Sequence, residues 1–151
     1  MDIFSALSST VVFLLAGSPA VPIGTAFIVG LPLPTEDKRF IPLVDTAKHV
    51  IAGRDQVLGR FSTKEGKSTA SVQYDLAALR SSKDYWEHPD KGVDIAVFRT
   101  PHFEVTNYAP LPLDLVVTKE QFVAEQITQT DRVIFPSLLV NFMGLAPMPV
   151  T

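Results

Sequence analysis

Twelve prolines and eight glycines are spread along the whole chain. Proline removes a backbone donor and glycine loosens the backbone, so the chain is cut into short elements. Between the breaks lie runs rich in Val, Ile, Leu, Phe and Thr, the residues that suit a pleated, half-buried surface. These runs predict strands at 10–16, 23–31, 39–44, 56–62, 69–75, 93–99 and 132–135. Residues 69–75 alternate cleanly, with Ala70, Val72 and Tyr74 set against Ser71, Gln73 and Asp75, which predicts a strand with one wet face. Lys64 to Lys67 reads as a hairpin tip between two of the strands.

Helical signals are short. Residues 46–51 predict about a turn and a half after a strand. Residues 118–126 predict two turns, with Thr118 as N-cap and Gln121 three positions later. Many short strands with little helix point to an all-β barrel or sandwich.

The chain has 151 residues, 46% of them hydrophobic. That suits one core rather than two ordinary domains. A net charge of −3, with both signs interspersed, argues against a nucleic-acid surface, and no polybasic run suggests a membrane partner. The absence of cysteine excludes disulfide and thiolate chemistry without deciding the compartment. The apolar run from Val11 to Ala16 is too short to span a bilayer, which takes about 20 residues. It also lacks a basic leader, since Lys38 is the first cation, so it reads as a buried strand and the location defaults to the cytoplasm.

Chemistry concentrates at His49 and Asp94. If residues 93–99 form a strand, Asp94 is its lone charge before Arg99, set among Val93, Ile95, Ala96, Val97 and Phe98. A carboxylate buried there needs a hydrogen-bond donor. His49 follows a strand and the small pair Thr46-Ala47, where one helical turn would hold its ring in place. An imidazole held by a carboxylate has its tautomer set, which frees the other ring nitrogen to take a proton. His88 and His102 sit beside prolines and read as solvated loop residues. The three histidines lack the close spacing of a zinc site, and no metal or cofactor is expected. Tyr85-Trp86 reads as a pair anchoring a loop to the core, and Lys38-Arg39 as solvated turn charges.

Three segments carry a family resemblance. They are Gly24-Thr25-Ala26-Phe27-Ile28-Val29, then Thr46-Ala47-Lys48-His49-Val50, then Val93-Asp94-Ile95-Ala96-Val97, preceded by His88-Pro89-Asp90. In this order, and with 45 positions between His49 and Asp94, they resemble the N-terminal half of the trypsin-like serine peptidases. The resemblance covers roughly residues 10–145. It implies a six- to seven-stranded antiparallel Greek-key β-barrel with short helical turns, spanning residues 1–145, with 146–151 beginning a linker. It also implies His49 as general base and Asp94 as its orienting carboxylate.

Two residues depart from the family pattern. Ala26 replaces a second glycine, and Asp45 stands where an apolar residue is usual; Asp45 is expected to cap the turn that holds His49. The larger departure is the nucleophile. No serine here has the Gly-Asp-Ser-Gly setting: Ser18 lies between Gly17 and Pro19, and Ser137 between Pro136 and Leu138. In such peptidases the serine, the oxyanion-hole amides and the specificity pocket come from a second barrel, in domains of roughly 200–250 residues. The expectation is therefore an inactive half that would act on polypeptide once completed. Its apolar face would be covered by a C-terminal half or by a homodimer. Two other readings stay open: a non-catalytic peptidase homologue that binds or scaffolds, and a small barrel with a chance His–Asp pair.

Overall fold

A computed structural model describes residues 9–34, 39–62, 69–101, 108–128 and 131. The predicted strand at 132–135, the hairpin tip at Lys64–Lys67, His102, Ser137 and the linker at 146–151 lie outside the described residues.

The described chain is mostly antiparallel sheet. The strands are β1 (Val11–Ala16), β2 (Val21–Pro32), β3 (Phe40–Thr46), β4 (Gln56–Ser62), β5 (Thr69–Asp75), β6 (Tyr85–Glu87), β7 (Ala96–Arg99) and β8 (Leu111–Pro112). Short helices interrupt them, among them α1 (Lys48–Ile51), α2 (Leu76–Ser81) and α3 (Lys119–Ala124). The strand order is β5-β4-β1-β2-β3-β7-β6, and β8 adds a short parallel pairing to β2 at Val29 and Gly30. The first half of β2 pairs with β1 and its second half with β3, so this long strand carries the sheet around a bend. The two ends of the order, β5 and β6, are joined directly through α2, and the sheet curls.

The curl encloses one core. Strand alternation turns Val12, Leu14, Ala26, Ile28, Val44, Val57, Phe61, Tyr74, Ala96 and Phe98 inward, and Ile51 of α1 and Leu76 of α2 join them. Phe98 and Tyr74, from opposite arms of the sheet, meet edge to face with ring centroids 5.1 Å apart. The Tyr74 hydroxyl hydrogen-bonds to Thr100 Oγ1 at 2.9 Å, so the phenol is satisfied inside the core. Burial pushes the Tyr74 phenol far above its ordinary value.

The sequence pattern locates most elements, with some differences. β6, β8 and α2 form where no strand or helix is predicted. α2 starts because Asp75 ends β5 and then caps the helix, accepting from the Ala78 N–H at 2.8 Å. The expected strand at 93–99 contracts to Ala96–Arg99, which leaves Asp94 in the loop before it. By contrast, α3 begins at the expected place with a complete capping box between Thr118 and Gln121. No helix among the described residues is long and apolar enough to cross a membrane.

Replacing Phe98 by alanine would empty the centre of the curl. The expected loss is about 3–5 kcal/mol of stability, read from the urea unfolding midpoint; a loss below about 1 kcal/mol would place the core elsewhere.

Candidate functional site

His49 is the second residue of α1, the short turn that follows β3. Two contacts seat this turn on the sheet. Thr46 Oγ1 donates to the Thr25 carbonyl oxygen at 2.9 Å, tying the end of β3 to β2. Val50 lies directly over Gly24: a Cβ at position 24 would stand 2.7 Å from Val50 Cγ1 and 2.8 Å from Cγ2. Only a glycine lets β2 and α1 approach so closely. Ile51 is fully buried beneath. On the far side, Arg54 Nε donates to the Val50 carbonyl at 3.2 Å, and Arg80 Nη1 donates to the Arg54 carbonyl at 3.0 Å. Arg80 also stacks over the Tyr85 ring, 4.7 Å from its centroid, so α1, α2 and β6 are braced together.

Asp94 comes from the loop between β6 and β7. His88 N–H donates to the Ile95 carbonyl at 3.1 Å and closes the loop at its base. Inside it, Asp90 N–H donates to His88 Nδ1 at 3.1 Å, and Asp90 Oδ1 accepts from the Gly92 N–H at 2.8 Å. His88-Pro89-Asp90 therefore builds the support for Asp94. His88 is exposed, as expected, but it has a structural partner.

The loop brings Asp94 against His49. One carboxylate oxygen, Oδ1, accepts the His49 backbone N–H at 3.0 Å. The other, Oδ2, is hydrogen-bonded to His49 Nδ1. These two bonds hold the Asp94 carboxyl below the ordinary carboxylate value of 3.8, the side-chain bond more than the backbone one. An ionised carboxylate can only accept, so Nδ1 carries a proton, and in the neutral ring Nε2 then presents its lone pair. Among the described residues no hydroxyl is hydrogen-bonded to Nε2.

Two expectations need correction. Asp94 is not a buried strand residue: its side chain is 50% exposed, and that of His49 is 75% exposed. The pairing therefore does not arise from the cost of a buried charge. It arises from helix ends, since the first N–H groups of α1 have no partner within the helix. Nor does Asp45 cap α1. It lies in β3, the N-cap is Ala47, and Ala47 has no side-chain acceptor to offer. Asp94 takes up that task through the His49 N–H. Burial pushes the Asp45 carboxyl up instead.

Ala26, the other departure from the family pattern, is fully buried between β1 and β3 and fits the core. Tyr85 packs against the core, whereas its neighbour Trp86 is exposed. Among the described residues no group of three or more His, Cys, Asp or Glu is arranged to hold a metal ion. Gly24, Arg54 and Arg80 support the His49 turn, and of these only Gly24 falls in a motif legible from sequence. No protein-family model matches the chain, and no curated protein matches it.

Gly24→Ala is expected to cost about 1–3 kcal/mol, because the stiff β-branched Val50 cannot swing away. Combining it with Val50→Ala should recover much of that loss. Unfolding curves of the native chain and Gly24→Ala that superimpose would refute the contact.

Asp94→Asn makes a second prediction with two readouts. Long-range proton–nitrogen NMR should show the His49 proton on Nδ1 in the native chain and a shift toward Nε2 in the variant. The folded-state carboxyl is depressed, so its stabilising contribution is complete above 3.8 and is lost as pH falls through the lower folded value. The difference in unfolding midpoint between the native chain and D94N should therefore be open at neutral pH and close in strong acid.

Proposed function

We propose that this chain is the first β-barrel of a trypsin-like serine endopeptidase, with His49 as general base and Asp94 as the residue that orients it. The observation that carries the proposal is the pair of hydrogen bonds from Asp94 to one residue, His49. One oxygen fixes the backbone of the turn and the other fixes the ring. A histidine that only needed solvent or a carbonyl would not require both.

The topology supports the same reading. β1, β2 and β3 follow one another in space, and β4 returns to lie beside β1, which is the order of a Greek key. β5 and β6 lie at the two ends of the strand order and are joined by α2; β5 pairs with β4 and β6 with β7. On this view the curled sheet is a closed Greek-key barrel.

The chemistry would run as follows. A serine hydroxyl supplied by a second barrel approaches His49 Nε2 and attacks a peptide carbonyl while its proton passes to the imidazole. Asp94 accepts the Nδ1–H throughout and stabilises the imidazolium that forms. His49 then gives the proton to the leaving amine, and water hydrolyses the acyl-enzyme by the same route in reverse. Proton transfer of this kind contributes about 10²–10⁴-fold. The broad exposure of the pair suits a surface on which the other half of such a site is seated.

That exposure also favours a second reading, a non-catalytic peptidase homologue that uses this surface for binding. The nucleotide sequence after codon 151 separates the two. The endopeptidase reading expects a glycine-flanked serine within about 100 further residues. The extended protein should then react with a fluorophosphonate at that serine, and His49→Ala should abolish the reaction. A reading frame without such a serine would leave the binding module.

A further inference from the structure

On the side of the sheet away from the core, β2, β3, β7 and β6 present a continuous apolar surface. Alternation places Phe27, Val29 and Leu31 of β2, Ile41 and Leu43 of β3, Val97 of β7 and Trp86 of β6 on this side. Trp86 is 48% exposed, Leu31 40% and Phe27 37%. Leu31, Ile41, Leu43, Trp86 and Val97, with Asp84 and Arg99 at the margin, line a groove of about 470 Å³. We infer that this face binds a short apolar polypeptide segment that carries one basic side chain, seated against Asp45.

The charge argument begins with Asp45. It occupies the register position between Phe27 and Val97, next to Leu43 on the same side of β3. Among the described residues its carboxylate has no hydrogen-bond or ion-pair partner. Its apolar neighbours remove enough water to push the carboxyl up, with no cation to offset the effect. Arg99, on this face, is turned to Asp84, with Nη1 3.8 Å from Oδ1. The Asp45 carboxylate therefore lies without a partner cation among side chains that want apolar cover.

Size decides between occupants. Strands about 4.8 Å apart with a rise near 3.3 Å per residue give the face a footprint on the order of 400 Å². A standard interface between two folded proteins buries about 800 Å² on each side. The face is thus small for a second copy of the chain and well matched to a peptide segment. A patch of this extent is within the range that often marks a functional surface. The inference uses neither His49 nor Asp94, and it goes beyond the peptidase reading by assigning this face to a peptide segment rather than to a second barrel.

Trp86 is the one tryptophan in the chain and reports directly on the groove. The probe is an acetylated, amidated heptapeptide of alternating leucine and serine with a central lysine; matched peptides carry norleucine or glutamate at that position. The lysine peptide should move Trp86 emission to shorter wavelength and bind about tenfold more tightly than the norleucine peptide, a difference of about 1.4 kcal/mol. Asp45→Asn, which removes a charge without a partner and should keep the fold, is expected to erase that preference. Leu31→Lys, at a position already exposed, should abolish binding of all three peptides while leaving the unfolding midpoint in place. Binding that ignores the central residue, or no binding at all, would overturn the inference and leave Asp45 as a charge that guards an open sheet face against aggregation. Trp86 emission that changes with protein concentration alone would assign the face to a second copy and overturn it equally.

Discussion

The curled sheet depends on the contact between Phe98 and Tyr74. The two rings come from opposite arms of the strand order, and their edge-to-face packing closes the inner surface over one apolar centre. Burying each such ring stabilises by about 1.5–3 kcal/mol. The Tyr74 hydroxyl would cost nearly as much if left unpaired, and Thr100 prevents that. Because β7 is held in this way, its N-terminal end is fixed, and so is the loop that enters it carrying Asp94. The core thus sets the position of the site, although neither site residue lies in it.

The site itself is a problem of helix ends. α1 has four residues and an alanine at its N-cap, so it cannot satisfy its own first N–H groups. Asp94 satisfies one and uses its second oxygen to hold the ring of the same residue. A single carboxylate therefore determines both where the turn begins and which ring nitrogen is free. Gly24 under Val50, and the guanidinium groups of Arg54 and Arg80 beyond it, keep the turn from sliding along the sheet. Exposed bonds of this kind are each weak, and it is their convergence on one short turn that gives them effect.

Sequence patterns with a short range were legible. The alternation in residues 69–75 appears as the inward Tyr74 and the outward Ser71, Gln73 and Asp75. The Thr118 and Gln121 signal appears as a capping box. Other features were not legible. β6 has three residues, too few for alternation to show, and it exists because β7 offers it an edge. α2 depends on Asp75 leaving a strand and becoming a cap, a role that its identity permits but does not require. Asp94 reads as a buried strand residue in the sequence because Val93 and Ile95 flank it. The ladder between β6 and β7 runs only from Ala96, and the loop closed by His88 and Ile95 turns the carboxylate outward.

The spacing of prolines and glycines, the β-branched runs and the cap residues are properties of neighbours along the chain. They determined that this protein is built of short antiparallel strands, while the residues flanking His49 and Asp94, and the order of the motifs that hold them, marked that pair as worth watching. Only the tertiary structure decided that these two meet, that they meet at the surface, and that Asp94 rather than Asp45 holds the turn. The same holds for the open face around Asp45, where strands far apart in sequence supply the apolar side chains. The physical reason is common to both: a contact across 45 positions is chosen by the packing of the whole sheet, and nothing in the neighbourhood of either residue specifies it.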